Sequence, residues 1–264
     1  MPTVSQIISF LESYAPVALA EEWDNVGLII GRPAGRAEKI MTCLSLTPDV
    51  AAEAVSENVQ MIVTHHPPLF RGTKKLTDEN SDQNTILTLI ENGIAVYSPH
   101  TAFDSAADGI NQKLAMHLGL QNVAPLRPNP KISVLGAGRW GELPEEIPLK
   151  YFLEIVAKVT RSTHLEFVAA TNEQTKRVAV ACGAAGDFLD DAIRLKCDTF
   201  VVGEARFHSA LQARSEAINL VVTGHYSSER PAVEELAETI SSEFPESTVF
   251  PSHHESSPLR LFLP

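Results

Sequence analysis

Residues 60–70 read QMIVTHHPPLF, an apolar run that ends abruptly in two histidines and two prolines. Met61, Ile62, Val63 and Thr64 have the character of a buried strand, and the prolines exclude both ladder pairing and helix directly after it. His65 and His66 therefore stand in a rigid loop at a strand end, and in an α/β protein the carboxyl edge of the sheet is where ligand sites form. Neutral imidazole is a good ligand for first-row transition metals. Two adjacent loop histidines serve equally as surface or supporting groups, so the pair needs partners before it defines a site.

The chain on either side repeats a strand and helix alternation. Ser5 reads as a helix N-cap, with Ile7, Ile8, Phe10 and Leu11 giving the following turn an apolar face. Residues 21–31, EEWDNVGLIIG, combine the turn formers Asp24 and Asn25 with a strand-like run from Val26 to Ile30, and Trp23 is expected to be buried at the turn. Residues 39–46 read as a strand and 48–58 as a helix with Pro48 in its first turn, which completes a β-α-β unit with the strand at Met61. A polar loop over 71–80, a helix over 85–91 and a strand over 94–98 follow. That strand ends in Pro99-His100-Thr101-Ala102-Phe103-Asp104, where Asp104 is the stronger ligand candidate because a carboxylate can bridge two cations. His100 reads as an alternative ligand or as a supporting loop histidine.

A helix over 109–118 leads to the proline-rich residues 122–131, which read as the connection between two halves, 1–125 and 126–264. Gly136, Gly138 and Gly141 match G-x-G-x-x-G, but no helix follows them and no acidic ribose reader is identifiable, so a dinucleotide fold is rejected. Residues 148–159 read as a helix, 165–170 and 177–181 as strands. Gly183-Ala184-Ala185-Gly186 then precedes a helix over 187–196, an arrangement that can cradle an anion or serve as a tight turn. Strands over 199–202 and 219–222 end in GEARFH (203–208) and in Thr223-Gly224-His225-Tyr226-Ser227-Ser228-Glu229. A helix starting near Ser228, with Pro231 in its first turn, would hold Glu229 beside His225. Four strand ends thus supply His65 and His66, Asp104, His208, and the pair His225 and Glu229.

Charge and cysteine usage narrow the function. The net charge of −12 argues against general binding of a nucleic-acid backbone, whose footprint is a basic face. Cys43, Cys182 and Cys197 lack CxxC spacing and read as reduced, buried thiols of a cytosolic protein. The first 16 residues have no basic n-region and are too short and polar to span a bilayer, which reads as a cytoplasmic start without membrane attachment.

The segments EEWDNVGLIIG, THHP (64–67), HTAFD (100–104), GEARFH and GHYSSE, in this order, resemble the NIF-three-like family, also called type two GTP cyclohydrolase I homologues or dinuclear-metal hexameric proteins. The resemblance covers nearly the whole chain. It implies an α/β protein of two similar domains with a dinuclear metal site in the cleft between them, assembled as a homohexamer. It further implies His65, His66, Asp104, His225 and Glu229 as ligands of two divalent ions, with His208 close to the site. Mixed imidazole and carboxylate donors suit Zn, Mn, Fe, Co or Ni. His100, Glu204, Gly183 and Gly186 are candidates for supporting or substrate-side roles. Glu204 stands where the family usually has aspartate, and GAAG replaces a turn richer in glycine and serine; both departures bear on substrate preference. The extra middle domain of longer members is expected to be absent. The expected function is hydrolysis of a small anionic substrate, a nucleotide or another phosphate-bearing molecule, with a non-enzymatic metal-binding scaffold as the alternative. His253 and His254 sit in a polar, serine-flanked stretch and are expected not to be ligands.

Overall fold

The computed structural model describes residues 1–262. In chain order the elements are α1 (Val4–Tyr14), β1 (Gly27–Ile30), β2 (Lys39–Cys43), α2 (Pro48–Ser56), β3 (Met61–Thr64), α3 (Ser81–Glu91), β4 (Ala95–Ser98), α4 (His100–Ser105) and α5 (Ile110–His117). They continue as β5 (Gln121–Pro128), β6 (Gly136–Pro148), α6 (Leu149–Thr160), β7 (Glu166–Val168), β8 (Gln174–Ala181), α7 (Leu189–Arg194), β9 (Thr199–Val202), α8 (Phe207–Ser215), β10 (Asn219–Val222), α9 (His225–Glu243) and β11 (Thr248–Pro251). The protein is α/β with two mixed sheets. Among the described residues no helix is long and apolar enough to cross a membrane.

One compact unit comprises residues 1–102 and the chain from 233 onward. Its sheet has the order β1-β4-β3-β2-β11, parallel except for the antiparallel pairing of β1 on β4. Alternation along the strands fills both faces: Met41, Cys43, Ile62 and Val96 join Val50, Ala54, Ile86 and Leu89 of α2 and α3 in one apolar cluster. Ile40, Met61, Val63 and Tyr97 are buried on the opposite face. There Thr42 donates its hydroxyl to the Val233 carbonyl.

The second unit comprises residues 103–232. Its sheet has the order β5-β6-β8-β9-β10-β7, with a parallel β8-β9-β10 centre flanked by antiparallel strands. Val178, Val180, Val201 and Val221 pack with residues of α5 and α6, while Ala179, Ala181, Phe200, Val202 and Leu220 pack with Leu189, Ala192 and Ala213 of α7 and α8. Consecutive residues thus serve opposite faces, as the two-residue period of a doubly covered strand requires.

Several local expectations are corrected. α1 is capped by Thr3, not Ser5, through a capping box with Gln6. Residues 99–105 are not an open loop, since α4 begins directly at His100. Residues 122–131 are largely strand: Pro125 and Pro128 are tolerated because β5 is an edge strand whose one neighbour is β6. The boundary expected at 125/126 therefore falls inside β5. α9 begins at His225, which moves Pro231 from the first turn into the helix interior. The rejected dinucleotide motif lies on β6, where Gly136 and Gly138 take positive φ values of 149° and 60°.

Glu53 of α2 is 3% exposed and fixes the segment after β11. Its carboxylate accepts hydrogen bonds from the Ser252 hydroxyl at 2.5 Å and from the backbone N–H groups of His253 at 2.8 Å and His254 at 3.2 Å. Burial pushes this carboxyl up, and the three donors outweigh it, so its pKa lies below the ordinary value. A depressed carboxylate contributes stability that is present above its unfolded pKa and is lost as pH falls through the folded one. Glu53→Gln is expected to cost about 1–2 kcal/mol near neutral pH. The difference from wild type should shrink towards about pH 3, below the ordinary carboxylate range. Urea unfolding across that pH series checks it; a difference that stays constant would show that the charge on Glu53 contributes nothing.

Candidate metal centre

The ligand-type side chains stand where the sheets end. In the first unit, β3 runs directly into His65 and His66, and β4 into Pro99 and His100. His65 is 3% exposed, and its carbonyl accepts the buried Ser98 hydroxyl at 2.7 Å, which ties the ends of β3 and β4 together. The ring centroids are 5.0 Å apart for His65 and His66, 5.2 Å for His65 and His100, and 5.7 Å for His66 and His100. One nitrogen from each ring lies within 4.8 Å of the other two. Three neutral imidazoles so placed form a donor set that could hold a transition-metal ion. The structure thus brings His100, an alternative in the sequence reading, into the same cluster as His65 and His66.

Two of these rings are oriented by Ser45, which the sequence did not single out, and by Asp24, which it read only as a turn former. Ser45, just past β2, places its hydroxyl 2.7 Å from His66 Nδ1. The Glu255 carboxylate accepts the backbone N–H groups of Leu44 at 2.8 Å and Ser45 at 2.6 Å, fixing that turn. Asp24, whose side chain is fully buried, accepts from His100 Nδ1 at 2.7 Å, from Thr101 N at 3.1 Å and from Thr101 Oγ1 at 2.5 Å. Burial raises the Asp24 carboxyl, but these donors dominate and bring it down to about 2. His100 has φ +26°, a costly conformation for a side-chain-bearing residue, and the Asp24 bonds hold it there. With Nδ1 of His66 and His100 engaged, ligation by either ring would fall to Nε2, and for His100 the Asp24 carboxylate also sets the tautomer.

In the second unit, the ends of β8, β9 and β10 converge. The first turn of α9 sets His225 and Glu229 four residues apart on one face, with Nε2 of His225 3.1 Å from Glu229 Oε2. Glu204, after β9, places Oε1 3.3 Å from His225 Nδ1. The His225 ring is therefore flanked by two carboxylates, and Glu204 acts on the nitrogen turned away from Glu229. Hydrogen bonding to Glu229 is the main cause that raises the His225 pKa to about 9, burial opposing it and Glu204 adding to it.

Gly183 follows β8 and makes room for the pair: a Cβ there would collide with Glu229 Oε1 and lie 3.4 Å from His225 Nε2. Its N–H donates to the Ser228 hydroxyl at 3.0 Å, which donates in turn to the His225 carbonyl at 2.7 Å. Gly186 packs against the backbone of Glu204 and Ala205, and the α-helix that follows, α7, is only six residues long. Asp104 lies on α4 and is half-buried, with its carbonyl accepting from Asn111 Nδ2 at 3.1 Å. Cys182 is held well above its ordinary pKa by burial first, and then by the Glu229 and Asp104 carboxylates, so it stays a thiol. Cys43 and Cys197 are buried and outside any disulfide, whereas Cys182 is half-buried. His208 stands exposed on the first turn of α8 beside Phe207. His253 and His254 are exposed, and the His253 ring stacks on Phe250.

Fold and side chains together define an α/β protein of two mixed sheets whose strand ends carry His and Glu groups that could hold metal ions. Residues 2–258 match the Duf34/NIF3 (NGG1p interacting factor 3) family, and the chain belongs to it. A Clostridium perfringens protein named GTP cyclohydrolase 1 type 2 homolog is 32% identical over 237 residues, 90% of each chain. The protein NIF3 homolog of Schizosaccharomyces pombe is 32% identical over 274 residues, covering 97% of this chain and 96% of the relative. Among solved structures, a Bacillus cereus protein related to NIF3 shares the fold with a TM-score of 0.90 at 21% identity over 99% of both chains. Reduced HcgD from Methanocaldococcus jannaschii matches with a TM-score of 0.83 at 28% identity, covering 95% of this chain and 97% of that one.

Proposed function

We propose that the protein holds two divalent ions on His65, His66, Asp104, His225 and Glu229, and hydrolyses a small phosphate-bearing substrate of the nucleotide class. The observation that carries this reading is the cluster of three imidazoles at the ends of β3 and β4, two of them fixed through Nδ1 by Ser45 and Asp24. Such supported rings are built for ligation, and their donors match Zn, Mn, Fe, Co or Ni better than the all-oxygen preferences of Ca or Mg.

Charge favours an anionic substrate. Among the ligands themselves Asp104 and Glu229 contribute about two negative charges against about four positive ones, an excess that the Asp24 and Glu204 carboxylates behind the rings reduce but that faces the open coordination positions. Divalent ions so held supply Lewis acidity to a phosphoryl oxygen and acidify a nucleophilic water. The chain's own part is orientation: Asp24 sets the tautomer of His100, Ser45 orients the His66 ring through Nδ1, and Glu204 holds His225 from behind. The name borne by the Clostridium relative supports a purine nucleotide within this class, and the family resemblance supports a homohexameric assembly.

Elemental analysis after loading is expected to find two ions per chain, and hydrolysis of nucleotides should be metal-dependent and abolished in Asp104→Ala with the circular-dichroism spectrum unchanged. At most one ion per chain would overturn the dinuclear reading. Two ions with no turnover across nucleotides and simple phosphoesters would leave the protein as a metal-binding scaffold.

A further inference from the structure

Trp23 was expected at a buried turn, yet it is 60% exposed, and Phe70 beside it is 46% exposed. Their ring centroids are 5.8 Å apart at an interplanar angle of 59°, and each lies 6.2 Å from the His100 ring in an edge-on arrangement, at 76° and 89° respectively. No two of the three rings stack in parallel, and the two exposed rings form a wedge next to the imidazole cluster. Exposing an indole forgoes its large burial energy, and a chain that needed only a spacer at this turn would not require one.

The wedge is nonetheless rigidly built. Asp24 pins the turn to His100 and Thr101, Glu21 N–H donates to Thr101 Oγ1 at 3.0 Å, and Asn25 Nδ2 donates to the Leu69 carbonyl at 2.6 Å. The residue after Trp23 is thus fixed to the imidazole cluster, and the next one to the segment carrying Phe70. Ordering the two aromatic rings beforehand lowers the entropy cost of binding something flat against them.

We propose that Trp23 and Phe70 form a stacking platform that recognises the planar heteroaromatic base of the substrate while its phosphate is held at the metal site. The platform rests on the phosphate-binding reading above, and it goes further by separating nucleotides from simple phosphoesters. Base stacking on aromatic side chains tolerates any base, so the platform selects for a base without choosing among bases.

Trp23 and Trp140 are the two tryptophans of the chain, so zinc-loaded Trp140→Phe protein reports on Trp23 by fluorescence. AMP, adenosine and ribose 5-phosphate are titrated into it, with calorimetry giving Kd for variants that lack Trp23. AMP and adenosine are expected to quench Trp23 and ribose 5-phosphate not to, with AMP binding at least about fivefold more tightly than ribose 5-phosphate. In Trp23→Ala and in Phe70→Ala that ratio should fall towards one, in Trp23→Phe it should be partly kept, and zinc content should be unchanged in all three. Equal affinity of AMP and ribose 5-phosphate in the parent protein, or a preference for AMP that survives both alanine variants, overturns the platform. Quenching by adenosine without binding of ribose 5-phosphate keeps the platform and overturns the phosphate site; silence from all three probes overturns both. A fall in oligomeric mass of Trp23→Ala by light scattering, with the AMP preference intact, assigns the aromatic pair to self-association and also overturns it.

Discussion

Arg139→Met is expected to destabilise the protein by on the order of 3–5 kcal/mol, because the guanidinium answers more buried acceptors than any other side chain could. Arg139 is 2% exposed. Its Nη1 donates to the carbonyls of Gly136 at 2.5 Å and Gly138 at 2.7 Å, its Nη2 to those of Ser105 at 3.3 Å and Ala106 at 2.6 Å, and its Nε to Gln112 Oε1 at 2.8 Å. Burial alone lowers its pKa to about 10, which leaves it charged at neutral pH. The acceptors are dipoles, two of them carbonyls at the C-terminal end of α4, where a cation is favoured. Methionine fills the volume and leaves those carbonyls dry. Arg139→Lys should recover only part of the loss, since an ammonium cannot reproduce the planar fork. Urea unfolding measures both; a loss below about 1 kcal/mol for Arg139→Met would mean that water replaces the guanidinium. Because α4 carries Asp104, the same variant is expected to weaken metal retention.

Gly183→Ala should lower metal affinity by about 10- to 100-fold, the range seen when support of a ligand is lost. At φ +68° the residue is in the left-handed region, and the added methyl group would occupy the space of Glu229 Oε1 and crowd His225 Nε2. Either Glu229 rotates away or the turn after β8 moves, and both spoil the His225–Glu229 geometry. Glu229→Ala and His65→Ala should lose metal outright, and metal-loaded wild type should melt above the apo protein by mass action. His253→Ala and His254→Ala should retain metal, since only their backbone N–H groups are engaged by Glu53. Competition with a chromophoric chelator provides the affinities; an unchanged value for Gly183→Ala would show that Glu229 is not a ligand in its observed position.

The strand and helix alternation was legible because each sheet is covered by helices, so its central strands are short apolar runs bounded by turn residues. The runs at 61–64, 199–202 and 219–222 coincide with β3, β9 and β10. The ligand-type residues were legible for a related reason: a polar side chain close behind a buried strand has few structural uses, which drew attention to His65, His66, Asp104, His225 and Glu229, and the family resemblance implied them as a set. Local rules failed where a long-range partner decided. β5 is a strand in spite of its prolines because β6 supplies the pairing, and α9 starts at His225 rather than near Ser228.

By itself the sequence determined the α/β class and the strands of the parallel centres, which depend on periodicity over a few residues, and the family, which rests on resemblance of ordered motifs along nearly the whole chain. Only the tertiary structure decided that His100 joins His65 and His66, that Asp24 reaches it across 76 residues, that Ser45 and Glu204 support His66 and His225, and that Trp23 stands exposed. These are pairings between segments distant in the chain. Their energies arise from desolvation and hydrogen-bond geometry, which no local pattern encodes.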